Sequence, residues 1–231
     1  MYVLWKGPSR LDGKTPIAVI ATGYGSKSAN RKTGDMIQTW IIRTDIEPHV
    51  AVKNGDDAAI CGDCPFRAGQ GCYVTTFQAP LAVYRAFHRG SYERPKSLES
   101  AGENRALRIG SYGDPAAAPL HVWHRFTSRA LTWTGYTHAW RTAPEGLSEY
   151  CMASVESTNG ASDASVMSYR SFRVSGSSDP VKGSEVACPA YTHGVACADC
   201  GLCQGNVSSG RSIVAAAHGN GKRKALLSVT A

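Results

Sequence analysis

The sequence predicts an α/β fold: parallel β/α units partly or fully closed into a barrel, with a β-rich N-terminal preface and a cysteine-rich C-terminal segment. Short runs rich in β-branched and aromatic residues recur along the chain and stop at Gly, Asp, Asn or Ser. Between them, segments repeat apolar residues at three and four spacing, the period of a helix. At 231 residues the chain can bury a hydrophobic core without covalent staples. An open doubly wound sheet is the competing architecture.

The elements follow in order. The start, MYVLWKGPSRLDGKTP, lacks the charged, apolar and small-residue regions of a signal peptide. PIAVIATG (16–23) and MIQTWIIRTD (36–45) are strand candidates and make residues 1–45 the β-rich preface. The β/α core, 46–180, carries strand candidates ALRIGSYGDP (106–115), LTWTGYTH (131–138), YCMASVEST (150–158) and YRSFRVSG (169–176). Helix candidates are APLAVYRAFHRGSY (79–92), APLHVWHRFTSRA (118–130) and SDASVMSYR (162–170), the last opening with residues suited to helix capping. Residues 181–231 hold a second cysteine group and the last strand candidate, SIVAAAHG (212–219). No linker divides the chain, so 1–231 reads as a single domain. In either architecture the site belongs at the carboxyl ends of the strands.

The formal charge is +7 and the pI near 9.0, a balance that admits nucleic acid or a phosphorylated small molecule as partner. The basic residues are scattered. The short concentrations NRKTG (30–34) and GKRK (221–224) read as solvated loops in preference to DNA contacts. No apolar run approaches the length of a membrane span, so the expectation is a cytoplasmic protein without membrane partners. ATGYGSKS (21–28) lacks the spacing of a phosphate loop and reads as a turn; hydrolase motifs such as G-x-S-x-G and H-E-x-x-H are missing.

Seven of the eight cysteines fall into two groups. Cys61 and Cys64 form a C-x2-C pair that aims two thiolates into one small space, and Cys72 follows through the flexible RAGQG. Cys197, Cys200 and Cys203 form a C-x2-C-x2-C run with Cys188 ahead of it. Each three-residue step reaches a different iron of a cubane, so this group can supply four ligands to a [4Fe–4S] cluster. In a reducing compartment, metal ligation is the leading reading. One or two [4Fe–4S] clusters come first; a zinc site shared between the groups is the alternative, and disulfides come third. Cys151, in YCMASV, reads as a small buried hydrophobe.

Three thiols on a loop beside a β/α barrel resemble the cluster loop of radical S-adenosylmethionine enzymes, although C-x2-C-x7-C here differs from the C-x3-C-x2-C of most members. IGSYGDP (109–115) resembles that family's Gly-Gly-Glu-Pro turn. The resemblance implies a radical-SAM-like barrel and an S-adenosylmethionine site. In that site Gly110, Gly113 and Asp114 contact the cofactor, Asp114 orients its amine, and the second cysteine group is an auxiliary cluster. The strings LWKGPSRLDG, KTGDMIQTW, CGDCPFR, GSYGDP, GYTHAW and CADCGLC also resemble a family of bacteriophage-encoded cysteine-rich proteins. That likeness implies a viral origin, with the infected host cell's cytoplasm as the location, and assigns no activity.

Other residues have two readings each. His138, ending GYTH, is a ligand or proton carrier, or a structural hydrogen-bonding histidine. His121 and His124 have metal-binding spacing, but an amphipathic helix surface is the simpler account. Arg173 would grip a carboxylate or phosphate of a bound cofactor, or pair structurally with Glu156. The functional expectation is a phage-type iron–sulfur protein, whose enzyme reading is radical-SAM-like one-electron chemistry on an unidentified substrate. Its rivals are a metal-stabilised module that binds nucleic acid or protein, and an electron carrier or redox sensor.

Overall fold

The computed structural model describes residues 1–25, 30–67, 70–207, 210–217 and 221–229. Strands β1 (Tyr2–Pro8), β2 (Pro16–Thr22) and β3 (Met36–Arg43) form an antiparallel meander. Its first turn is closed by Asp12, whose carboxylate accepts from the Lys14 and Thr15 N–H groups and the Thr15 hydroxyl. Ile17 to Ala21 of β2 are buried on both faces, which explains why that segment is a continuous apolar run.

Helices α1 (Pro48–Asn54), α2 (Ala58–Cys61), α3 (Ala79–His88) and α4 (Leu98–Gly102) fill the long connection to β4 (Ala106–Tyr112). A 3-10 turn at Pro115–Ala117 and α5 (Leu120–Thr127) lead to β5 (Thr132–Thr137). Then come β6 (Met152–Val155), α6 (Thr158–Val166), β7 (Ser171–Ser175), β8 (Glu185–Ala187), α7 (Pro189–Thr192), α8 (Cys197–Cys200), β9 (Ser212–Ala216) and α9 (Lys222–Val229). Among the described residues nine strands form one sheet in the order β1-β2-β3-β4-β5-β6-β7-β9-β8, parallel from β3 onward.

Helix α5 shows what seats a helix on a face of this sheet. Val122, Trp123 and Phe126 recur at helical spacing, are fully buried, and join one core with Leu107 and Ile109 of β4. Burying each such side chain contributes about 1.5–3 kcal/mol. The Trp123 indole N–H, which could not stay unpaired there, donates to the Pro115 carbonyl at 2.9 Å. The other side of α5 faces solvent and carries His121 and His124, as an amphipathic surface requires.

All seven strand candidates coincide with strands, but β1 and the three-residue β8 are additional. Helix α6 begins earlier than expected, because Ser157 and not Ser162 caps it by accepting from the Gly160 N–H. GKRK opens α9 instead of forming a loop. Residues 26–28 of ATGYGSKS and the last two of SIVAAAHG lie outside the described residues. Strands β1 and β8 end the order with one sheet neighbour each, and no ladder joins them among the described residues. No described helix is long and apolar enough to cross a membrane.

Candidate functional site: a cavity walled by two thiol groups

The first thiol group is set by α2. Cys61 is its last residue, and Gly62 turns the chain at φ 56, a left-handed conformation that suits glycine. The buried Asp57 carboxylate pairs with Arg67 at 2.9 Å across the cysteine turn, and the Cys72 N–H donates to the Phe66 carbonyl at 2.8 Å. Two bonds hold α2 to its surroundings: the Asp114 N–H to the Ile60 carbonyl at 2.6 Å, and the Ser9 hydroxyl to the Ala59 carbonyl at 2.6 Å. The group therefore stands past the carboxyl ends of β4 and β5, as expected.

Of the second group, only Cys188 follows the carboxyl end of a strand. Cys188 extends the β8–β9 ladder, its N–H donating to the Val214 carbonyl at 2.9 Å. The N–H groups of Cys197 and Ala198 donate to the carbonyls of Lys32 and Thr33, just ahead of β3, at 2.9 and 3.0 Å. Cys203 accepts from the Gly135 N–H at 3.2 Å, and Gln204 reaches the Thr132 hydroxyl at the start of β5. Cys197, Cys200 and Cys203 thus lie toward the amino-terminal half of the strands, because the β8-to-β9 connection crosses the sheet face, while Cys188 directly follows the last residue of β8. NRKTG is accordingly a docking segment for these cysteines, with Gly34 fitted against Ala196 and Ala198, in place of the solvated loop expected.

Between the two groups lies a cavity of about 390 Å³ whose wall includes Cys61, Cys64, Cys72, Cys188, Cys197, Cys200 and Cys203. Alternate residues of the strands form its floor: Arg108 and Tyr112 of β4, Tyr136 of β5, Ser154 of β6, Phe172 of β7 and Ile213 of β9. Its volume and mixed lining of aromatics with a few polar groups are those of a small-molecule site.

All eight cysteines are free thiols, and Cys151 is the buried small hydrophobe expected, although it stands one residue ahead of β6 and not within a strand. Among the described residues no three His, Cys, Asp or Glu side chains converge on one point closely enough to hold a single metal ion. Burial pushes the Cys61 thiol well above its ordinary range, with Cys64 and Asp57 adding to it. Burial pushes Cys72 up to about 11 and Cys203 up to about 12, the latter against a hydrogen bond from Tyr136. Cys188 and Cys197 are raised for the same reason, although the cations Lys32 and Arg108 stand near them. The Lys32 ammonium donates to the Tyr191 hydroxyl and sits 4.1 Å above its ring.

His138 faces the cavity beside Cys64. Burial opposes its charge, but the neighbouring Cys64 and Glu156 outweigh burial and push the imidazole up to about 10. Its Nε2 lies 3.4 Å from Glu156 Oε1, an ion-pair distance without a well-formed hydrogen bond. Its ring packs edge-on against Phe66.

Asp114 lines the cavity, but its carboxylate is engaged. Oδ1 accepts from the Ala116 N–H at 2.9 Å, capping the 3-10 turn, and from the Thr137 hydroxyl at 2.7 Å; Oδ2 accepts from the His138 N–H at 2.8 Å. Gly110 and Gly113 line the cavity too, and both have backbone reasons to be glycine, with φ of 71 and 79. A Cβ on Gly113 would stand 2.7 Å from the Ile41 carbonyl oxygen.

Arg173 is not in the wall. Strand alternation sends Phe172 and Val174 into the cavity and Arg173 to the opposite face, where it pairs with Glu185 through two bonds of 2.8 and 2.7 Å. The expected Glu156–Arg173 pair does not form: Glu156 lies past the end of β6, beside His138.

Sequence reasoning missed Lys32, Thr33 and Arg108, all in the wall. One signal was present for Arg108, a lone charge within the apolar run ALRIGSY. Comparisons of the chain with protein-family models, with curated proteins and with solved structures found no match.

Proposed function

We propose that this chain is a two-centre iron–sulfur protein performing one-electron chemistry on a small molecule bound in the cavity. Cys188, Cys197, Cys200 and Cys203 would hold one [4Fe–4S] cluster, and Cys61, Cys64 and Cys72 a second with one iron left for an exogenous ligand. The observation that carries this reading is that all seven thiols line one cavity. The donor set fits: thiolates are soft ligands that suit iron–sulfur clusters. A zinc ion needs four ligands at about 2.3 Å from one point, whereas the irons of a cluster lie apart and each takes a thiolate from its own direction. The dispersed arrangement of thiols favours the latter. Lys32, which stands near Cys188 and Cys197, would offset part of the negative charge of the second centre.

In the finer form of the proposal, the parallel strands curve around the cavity as a partial barrel like that of radical S-adenosylmethionine enzymes. Cys61, Cys64 and Cys72 would then hold the centre that binds the sulfonium cofactor, a centre whose chemistry would be the supply of one electron. A carboxylate offers about four acceptor positions, of which Asp114 uses three within the chain. The remaining one would receive the cofactor amine.

Anaerobic purification followed by iron, sulfide and zinc quantification tests the main reading: brown protein with matched iron and sulfide is expected, and colourless protein holding stoichiometric zinc would overturn it. Magnetic resonance of the reduced protein with and without S-adenosylmethionine tests the finer one. An unchanged spectrum would leave an electron carrier.

A further inference from the structure

A second cavity, of about 310 Å³, adjoins the first and shares Asn30, Thr33, Tyr73, Val74, Arg108 and Ser111 with it. Unlike the thiol cavity, it is walled largely by hydrogen-bonding side chains, among them Gln38, Thr75 and Gln78. Arg108 stands in the partition. Its guanidinium donates to the Tyr73 hydroxyl at 2.6 Å, and no carboxylate of the described residues lies within salt-bridge distance of it. Holding a guanidinium in a partly buried wall without a counter-ion is costly, and the fork it presents matches an oxyanion.

Two further features face the same space. Gln78, Ala79 and Pro80, at the start of α3, line the second cavity, and no side chain caps that helix; Pro80 has no N–H and that of Gln78 is bonded to the Thr75 carbonyl, so the Ala79 N–H and the positive end of the helix dipole are what these residues offer. Thr33 is 5% exposed, lines both cavities, and its hydroxyl has no hydrogen-bond partner. A cation and a helix N-terminus thus face one chamber, with an unsatisfied hydroxyl buried in its wall.

We propose that Arg108, the first turn of α3 and Thr33 bind the oxyanion, a carboxylate or phosphate, of a small-molecule substrate, and that the second cavity is the chamber from which it reaches the thiols. Tyr73 follows Cys72 directly and bonds Arg108, so the first thiol loop and the anion anchor are mechanically joined. The argument holds whichever metal the thiols take.

Calorimetric titration of the full chain with inorganic phosphate and with acetate, each against chloride at equal ionic strength, tests it. Saturable binding of one is expected, phosphate marking a phosphorylated substrate and acetate a carboxylate. Arg108→Gln should weaken it about tenfold or more, Thr33→Val by a few fold, and the exposed Arg129→Gln not at all. Binding of neither anion, or equal binding by the Arg108 and Arg129 variants, would overturn the proposal. If Arg108→Gln does not fold, the Thr33 variant decides alone, and unchanged binding by it would overturn the proposal. Iron and sulfide measured on the same samples separate this test from that of the cluster reading: metal-free protein that binds anion through Arg108 supports the chamber while refuting the clusters.

Discussion

The backbone N–H of Asp114 donates to the Ile60 carbonyl at 2.6 Å, while the carboxylate of the same residue accepts from Thr137 and from the His138 N–H. One buried residue thereby joins α2, the end of β4 and the end of β5. The first thiol loop owes its position over the strand ends to this junction.

Asp114→Ala is expected to lower the melting temperature markedly, because each buried donor left unpaired costs about 1–3 kcal/mol. Asp114→Asn should be milder, since its amide oxygen still accepts and Asn caps well. Thermal denaturation of the two variants checks this. Wild-type stability in the alanine variant would show that the junction contributes nothing.

Breaking the Arg173–Glu185 pair should be costly and replacing it cheap. Glu185→Ala leaves a buried guanidinium unpaired, a loss of about 3–5 kcal/mol, whereas Arg173→Met combined with Glu185→Leu should recover most of it. Burial alone would raise the Glu185 carboxyl, but Arg173 and the Val181 N–H outweigh it and hold it below its ordinary value. Its contribution is therefore present above the unfolded carboxyl pKa and disappears as pH falls through the lowered folded value. Acid unfolding should lose steepness in the double variant; an unaltered acid limb would contradict the assignment.

Loading of the thiols should strengthen with pH. Cys61, Cys72 and Cys203 are held protonated by burial, with values raised to about 11 for Cys72 and about 12 for Cys203, and each must lose its proton to bind metal. Competition with a chelator at about pH 6.5 and about pH 8.5 should show tighter retention at the higher value. A heat of loading that varies with buffer ionisation would report the proton release. Affinity independent of pH would mean that the thiols are already ionised.

Gly113→Ala and Gly13→Ala both place a side chain at positive φ, 79 and 73, at about 1–2 kcal/mol. Only at Gly113 does the new Cβ also meet backbone, 2.7 Å from the Ile41 oxygen, whereas nothing lies within 4 Å at Gly13. Urea unfolding should find the Gly113 variant clearly the less stable of the two. Equal losses would indicate that the β3–β4 contact relaxes at little cost.

The sequence by itself determined the local matters: seven strand segments, the amphipathic faces of α3 and α5, and the grouping of the cysteines. Period, turn residues and ligand spacing are properties of neighbours along the chain. Only the tertiary structure decided which distant segments meet. Strand β9 inserts between β7 and β8, so the β8-to-β9 connection carries Cys197, Cys200 and Cys203 across the sheet face, where they meet the first thiol group around one cavity. The same register gives Arg173 to Glu185 rather than Glu156, and sets Arg108 in the partition with no carboxylate of the described residues at salt-bridge distance. Those outcomes depend on strand order, and in a parallel sheet strand order is set by packing between elements far apart in the chain, which no local pattern encodes.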